Sequence, residues 1–331
     1  MRKKGEKIVE SRVGYIDVFR GIGILLMIMG HTNSFGGYFD KFIHAFHVPM
    51  FFVVSGYLFR VNSYSLFDII KKRIKSLLIP YFVFGGIHVL MAVCIEKTFR
   101  VVFLKNYLLW SKEGMPVPGT CWFLMVMFWA DIIYTIVQKK LRGRSQITVV
   151  ALITCIGLSF QFIGSKTLWG LDSALVAVGL MYIGNFAKRM ESNRWVHRIA
   201  TLNMLEIILC GIVATGVILA TPYINMRTAS YGIWPLFLAD VVVACAIGIS
   251  ISKKVESLLG ESKFVCYLKR VGRNSIVYLC CNQLLIESVR DYIHIENTYL
   301  MGTTLLLVAC AMIEIICFVI YNSKLKIVVG K

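Results

Sequence analysis

The sequence predicts an all-α membrane protein, a polytopic bundle of about ten transmembrane helices with both termini cytoplasmic, and three observations carry that expectation. The 331 residues are 57% hydrophobic and only 16% charged, with a mean hydropathy of +0.71, which excludes an ordinary soluble domain. Apolar runs long enough to cross the hydrocarbon core, roughly 17 to 22 residues each, recur along the whole chain. The basic residues alternate by loop. Of the Lys and Arg, 27 fall on the side of the N-terminus and eight on the other, so the positive-inside rule assigns the first side to the cytoplasm. The net charge of +18 is thus spread over loops as a topological signal and does not point to nucleic acid.

The first run, near 16–34, contains DVFRGIGILLMIMGH and holds two ionisable groups, Arg20 and His31, eleven residues apart. At 100° per residue they share one helical face, separated by a rise of roughly 16 Å. Groups this costly in a bilayer point to function. Asp17, one turn before Arg20, can pair with the guanidinium and orient it. The second run, near 46–60, opens with FHVPMFFVVSGYLF. Pro49 suits a helix start, and Ser55 and Gly56 suit close helix approach. His47 stands at the entry of this run as His31 stands at the exit of the first, so the two imidazoles can flank one cavity.

The third run, near 77–95, follows the basic stretch FDIIKKRIKSLLIPYF, in which Arg73 lies one turn from the apolar residues and can reach inward toward an anion. The fourth, near 119–137, opens with GTCWFLMVMFW and puts Trp122 where an interfacial aromatic belt is expected. Runs near 147–164, 171–187, 203–221 and 234–251 follow, and the stretch 252–273 reads as a short amphipathic helix on the cytoplasmic face. The last two runs lie near 274–290 and 300–321. Glu314, in the final run, is the deepest of the carboxylates near the spans, and the sequence names no partner for it.

The ten cysteines lie almost entirely in or beside apolar runs without CxxC or Cys/His spacing, so they are expected to pack as small hydrophobes, with no metal and no disulfide. The basic N-terminus resembles the start of a signal peptide, but no small-x-small cleavage site follows, and the first helix is expected to remain. A single integral membrane domain over residues 1–331, with no appended soluble domain, is the expected organisation.

YIDVFRGIGILLMIMGH, FHVPMFFVVSGYLF, KRIKSLLIPY, GTCWFLMVMFW, WGLDSALVAVGLMYIGN and VGRNSIVYL, in that order, resemble the acyltransferase-3 superfamily of integral membrane acyltransferases, and within it the fucose 4-O-acetylase-like group. The first of these contains the Arg-x10-His pattern of that superfamily. The resemblance implies a multi-pass enzyme of a bacterial cell membrane that transfers an acyl group, usually acetyl from cytoplasmic acetyl-CoA, to a hydroxyl of a cell-surface glycan. It also implies that other polysaccharide-biosynthesis proteins act alongside it. Arg20, with Arg73 and Lys75, would then hold the donor, and His31 would serve as general base or as an acylated relay. Asp17, His47, Trp122 and Asn282 are the remaining candidates for substrate contact. There are two departures from the group: Ser76 stands where a second basic residue is common, and Cys281 and Asn282 stand where relatives often carry histidine. A transporter or flippase for a glycan intermediate or small anion is the alternative, since ten spans with buried carboxylates suit it too.

Overall fold

The computed structural model describes residues 13–60, 65–98, 100–112, 119–164 and 167–331, and the regular structure of those residues is helical, with one isolated antiparallel bridge between Asn225 and Ser230. The helices are α1 (Gly14–His31), α2 (Gly37–Tyr57), α3 (Leu66–Arg73), α4 (Ile79–Glu96), α5 (Val101–Leu108), α6 (Trp122–Lys140) and α7 (Gly143–Ile163). They continue as α8 (Leu171–Arg189), α9 (Arg194–Ile199), α10 (Met204–Ala220), α11 (Trp234–Leu259), α12 (Lys263–Arg273), α13 (Ser275–Arg290) and α14 (Thr298–Tyr321). A π-helical turn, Ile74–Leu78, joins α3 to α4. Side chains cap several starts: Asn203 and Glu206 form a reciprocal capping box at α10, and Ser262 accepts from the Val265 amide at α12.

Among the described residues, seven segments are long and apolar enough to cross a membrane: Gly14–His31, Leu66–Cys94, Trp122–Lys140, Gly143–Ile163, Leu168–Arg189, Trp234–Leu259 and Thr298–Tyr321. The other three runs expected to span coincide with α2, α10 and α13. α10 and α13 are short, at 17 and 16 residues, and α2 is diluted by Asp40, Lys41, His44 and His47. The second run differs most from expectation. α2 begins nine residues earlier than position 46, so Pro49 lies inside the helix and not at its start. The polar first half stays helical because its side chains find partners: His44 Nδ1 reaches the Asp40 carbonyl at 2.9 Å, and the Tyr223 hydroxyl donates to Asp40 Oδ2 at 2.6 Å.

Burial sorts the bundle into inner and outer helices. In the most apolar 18 residues of α6 and of the segment containing α8, 67% of the residues are buried, against 28% in α7 and 33% in α11 and α14. The outer helices turn Leu152, Ile156, Leu307, Ile315 and Phe318 outward, the surface a hydrocarbon phase would cover. Close packing of the inner set rests on glycine. A Cβ at Gly56 would overlap the Met181 carbonyl, and one at Gly184 would overlap the Val53 carbonyl, so α2 and α8 meet backbone to backbone. Asn185 adds hydrogen bonds from its amide to the Gly56 and Phe59 carbonyls at 3.3 and 3.4 Å.

The stretch 252–273 divides. α11 runs on to Leu259, and only α12 is a separate amphipathic helix. Its apolar residues Val265, Leu268 and Val271 are buried, and Gly21 of α1 and Gly272 of α12 each sit against the other helix's backbone. Glu314 does have partners: the Tyr278 hydroxyl donates to it at 2.7 Å, and Arg270 of α12 pairs with it at 2.9 Å. Just past α8, Lys188 and Tyr57 hydrogen-bond Glu191 and hold its carboxyl below the usual range. The ten cysteines are all free thiols, six of them buried.

Candidate active site

Four helices, α1, α2, α6 and α13, surround two cavities placed end to end. On α1, Arg20 and Ile24 line the first, and Met27 and His31 line the second. Those four residues are spaced four, three and four apart, the signature of one helical face. Arg20 and His31 therefore open into different chambers along one line. α2 repeats the pattern, with Val54, Ser55 and Leu58 in the first cavity and His44, His47 and Val48 in the second.

The first cavity measures about 640 Å³. Arg20, Arg60, Lys72, Arg73 and Lys139 line it, against Asp68 and Asp131, so its sign favours an anion. Arg20 donates to Ser275 Oγ of α13 at 2.7 Å. Arg73 grips the buried Asp131 of α6 with Nε at 3.1 Å and a terminal nitrogen at 3.3 Å, a fork that fixes the guanidinium plane.

The second cavity measures about 340 Å³ and gathers three imidazoles, His31, His44 and His47, with Asp40, Tyr223 and Arg227. The decisive detail lies behind His31. Asn282 directs its amide nitrogen to the carbonyls of Tyr278 and Leu279 at 2.9 and 2.7 Å, and carbonyls only accept. Its Oδ1 therefore faces His31 Nδ1 at 2.7 Å and must accept, so Nδ1 carries the proton. A neutral ring held this way keeps a lone pair on Nε2. His47 is fixed in the same tautomer, because its Nδ1 lies 2.8 Å from the Ile43 carbonyl. Among the described residues no group of three His, Cys, Asp or Glu side chains is arranged to hold a metal ion.

The sequence profile of the family described as Acyltransferase domain, acyltransferase-3, matches residues 13–322, nearly the whole chain. The protein belongs to this acyltransferase family. A search of curated proteins gives no match. A membrane acyltransferase with several apolar helices is what fold and family together establish.

Within the acyltransferase the expected site residues do not all converge. Arg20 and Arg73 line one cavity, and His31, His47 and Trp122 line the other. Lys75 is exposed and lines neither cavity, and Lys72 stands at the first cavity. Residues two apart on a helix point roughly 200° apart, so Arg73 and Lys75 could not both face inward. Asp17 pairs mainly with Arg273 of α12 at 3.1 Å and approaches Arg20 only at 4.0 Å, so it bridges two cations. Trp122 is 7% exposed and faces the second cavity, away from the belt position expected of it. Asn282 lies behind His31 and lines neither cavity. Sequence reasoning missed Ser275, His44 and Lys72 as cavity residues. A single helical register through 44, 47, 51, 55 and 58 would have found His44.

Proposed function

We propose that this acyltransferase is an O-acetyltransferase of the fucose 4-O-acetylase-like kind, moving an acetyl group from cytoplasmic acetyl-CoA to a hydroxyl of a cell-surface glycan. The observation that carries the reading is the pairing on α1: a cation-rich chamber at Arg20 leads, along one helical face, to a histidine chamber at His31. The phosphate groups of the donor bind Arg20, with Arg73 and Lys72 beside it, and the pantetheine arm follows the face toward His31.

The acceptor hydroxyl enters the second chamber and gives its proton to His31 Nε2 as its oxygen attacks the thioester carbon. The carbon–sulfur bond then breaks, and the imidazolium returns the proton to the departing CoA sulfur. Asn282 keeps Nδ1 protonated through the cycle, so the nitrogen that reacts stays the same one. The remaining polar side chains of that chamber, His47 and Trp122 among them, contact the sugar.

The bias of 27 basic residues to eight supports ten spans with both termini cytoplasmic, α2, α10 and α13 completing the seven longer segments, in a bacterial cell membrane. On that topology one domain suffices, and polysaccharide-biosynthesis proteins supply its acceptor. The test is His31→Ala in the native host. Glycan NMR should lose its O-acetyl signals while the protein stays at normal level in the membrane, and unchanged acetylation would sink the proposal. Hydrolysis or exchange of acetyl-CoA in purified membranes, dependent on His31, separates this enzyme from a flippase.

A further inference from the structure

Phe51 of α2, Phe123 of α6 and Leu279 of α13 line both cavities and form their common wall. On α1 the changeover falls between Ile24 and Met27, and here Gly23 makes room. A Cβ built at that glycine would overlap the end of the Met50 side chain and touch the Phe51 ring edge at 3.4 Å. Phe51 meets Phe123 edge to face with centroids 6.0 Å apart, and Phe123 is backed in turn by Phe52 at 4.9 Å. The Leu279 carbonyl is anchored by Thr120 and by Asn282, so the third side of the wall is tied to the residue that orients His31. Each chamber is charged, yet the side chains between them carry no polar atom.

We propose that Phe51, Phe123 and Leu279 are the acyl-selecting constriction of this enzyme, a proposal that rests on the donor and acceptor chambers assigned above. The nucleotide and phosphates of a CoA thioester are too large and too strongly charged to pass apolar side chains, and they stay in the Arg20 chamber. The acyl end and the uncharged arm behind it enter the wall, and the chain beyond the carbonyl packs on Phe51 and Phe123 while the carbonyl meets His31. Each added methylene has to find room among rings already packed against one another, so the wall favours the shortest acyl group. Selection by ring packing also places specificity away from both the phosphate contacts and the base.

The experiment offers purified enzyme equal concentrations of acetyl-CoA and butyryl-CoA with surface polysaccharide purified from the native host and de-O-acylated by mild base, and counts the transferred groups by mass spectrometry. Wild type should transfer acetyl in large excess. Phe51→Ala and, as a milder change, Phe123→Leu should each shift the acetyl-to-butyryl ratio toward butyryl by about tenfold or more, the scale one or two methylenes command in an apolar pocket. The KM for acetyl-CoA should change little. Phe51→Trp, which fills space, should slow both donors, butyryl more. An unchanged ratio in a variant that still transfers acetyl overturns the constriction and leaves the acetyltransferase reading intact. A wild-type enzyme that consumes no CoA thioester overturns both.

Discussion

In the proposed mechanism His31 acts as a base only while its proton sits on the nitrogen that faces away from the acceptor, and one amide secures this. Asn282 spends both amide hydrogens on carbonyls of its own helix, which leaves only its oxygen for the imidazole. Asn282→Leu should therefore lower kcat by about 10- to 100-fold, a fraction of what general-base catalysis contributes, with the donor KM little changed. Asn282→Asp, which still offers an acceptor to Nδ1, should lose less. Steady-state kinetics of the two variants check this, and equal losses, or a loss confined to KM, would count against the orienting role.

What the sequence revealed about single residues followed the helical period. Arg20 and His31 could be set on one face because eleven residues close three turns, and the same arithmetic, applied to Arg73 and Lys75, would have rejected the lysine. The partners of these residues were out of reach. Asp131 lies 58 positions from Arg73 and Ser275 lies 255 from Arg20, and no local pattern links such pairs.

At the scale of elements, the contact between α2 and α8 decides where the wall residues stand. Gly56 and Gly184 leave no space for a methyl group between the two backbones. In an exposed helix Gly→Ala gains up to about 1 kcal/mol. Gly56→Ala should instead destabilise by about 1–3 kcal/mol, since overpacking against a carbonyl can be relieved only by moving a helix. Thermal unfolding in detergent checks the sign, and a stabilised variant would refute the close approach.

The small residues at 55 and 56 announced that contact in the sequence, but not the helix that would fill it. The true start of α2 was hidden for a related reason. Asp40, Lys41 and His44 read as loop by hydropathy, and in the helix their side chains are partnered from elsewhere: Tyr223, 183 positions from Asp40, donates to its carboxylate, and Lys41 donates to the Leu219 carbonyl. The amphipathic character of α12 was legible, though the surface it covers, α1, was not.

For the whole molecule, composition and loop charge carried most of what could be read. They indicated a helical membrane protein correctly, and the seven long apolar segments agree with seven of the ten expected runs. The other three coincide with α2, α10 and α13, of which α10 and α13 are short and α2 is diluted by polar residues. The proposed topology has a direct measurement. A fluorescent protein that folds only in the cytoplasm, fused at the C-terminus, should glow, and a phosphatase active only outside, inserted in the loop before α11, should work. A dark C-terminal fusion would break the ten-span arrangement.

The apolar wall between the chambers bears on the membrane as well as on the substrate. Two polar cavities joined end to end through a bilayer would make a water column, and protons and ions would run down their gradients through it. Phe51, Phe123 and Leu279 interrupt that column with side chains that water wets poorly. On the proposed topology a cell can therefore keep this protein at high copy number without discharging its membrane potential, and the proposed transfer would pass an acyl group outward while holding back the ions that surround it.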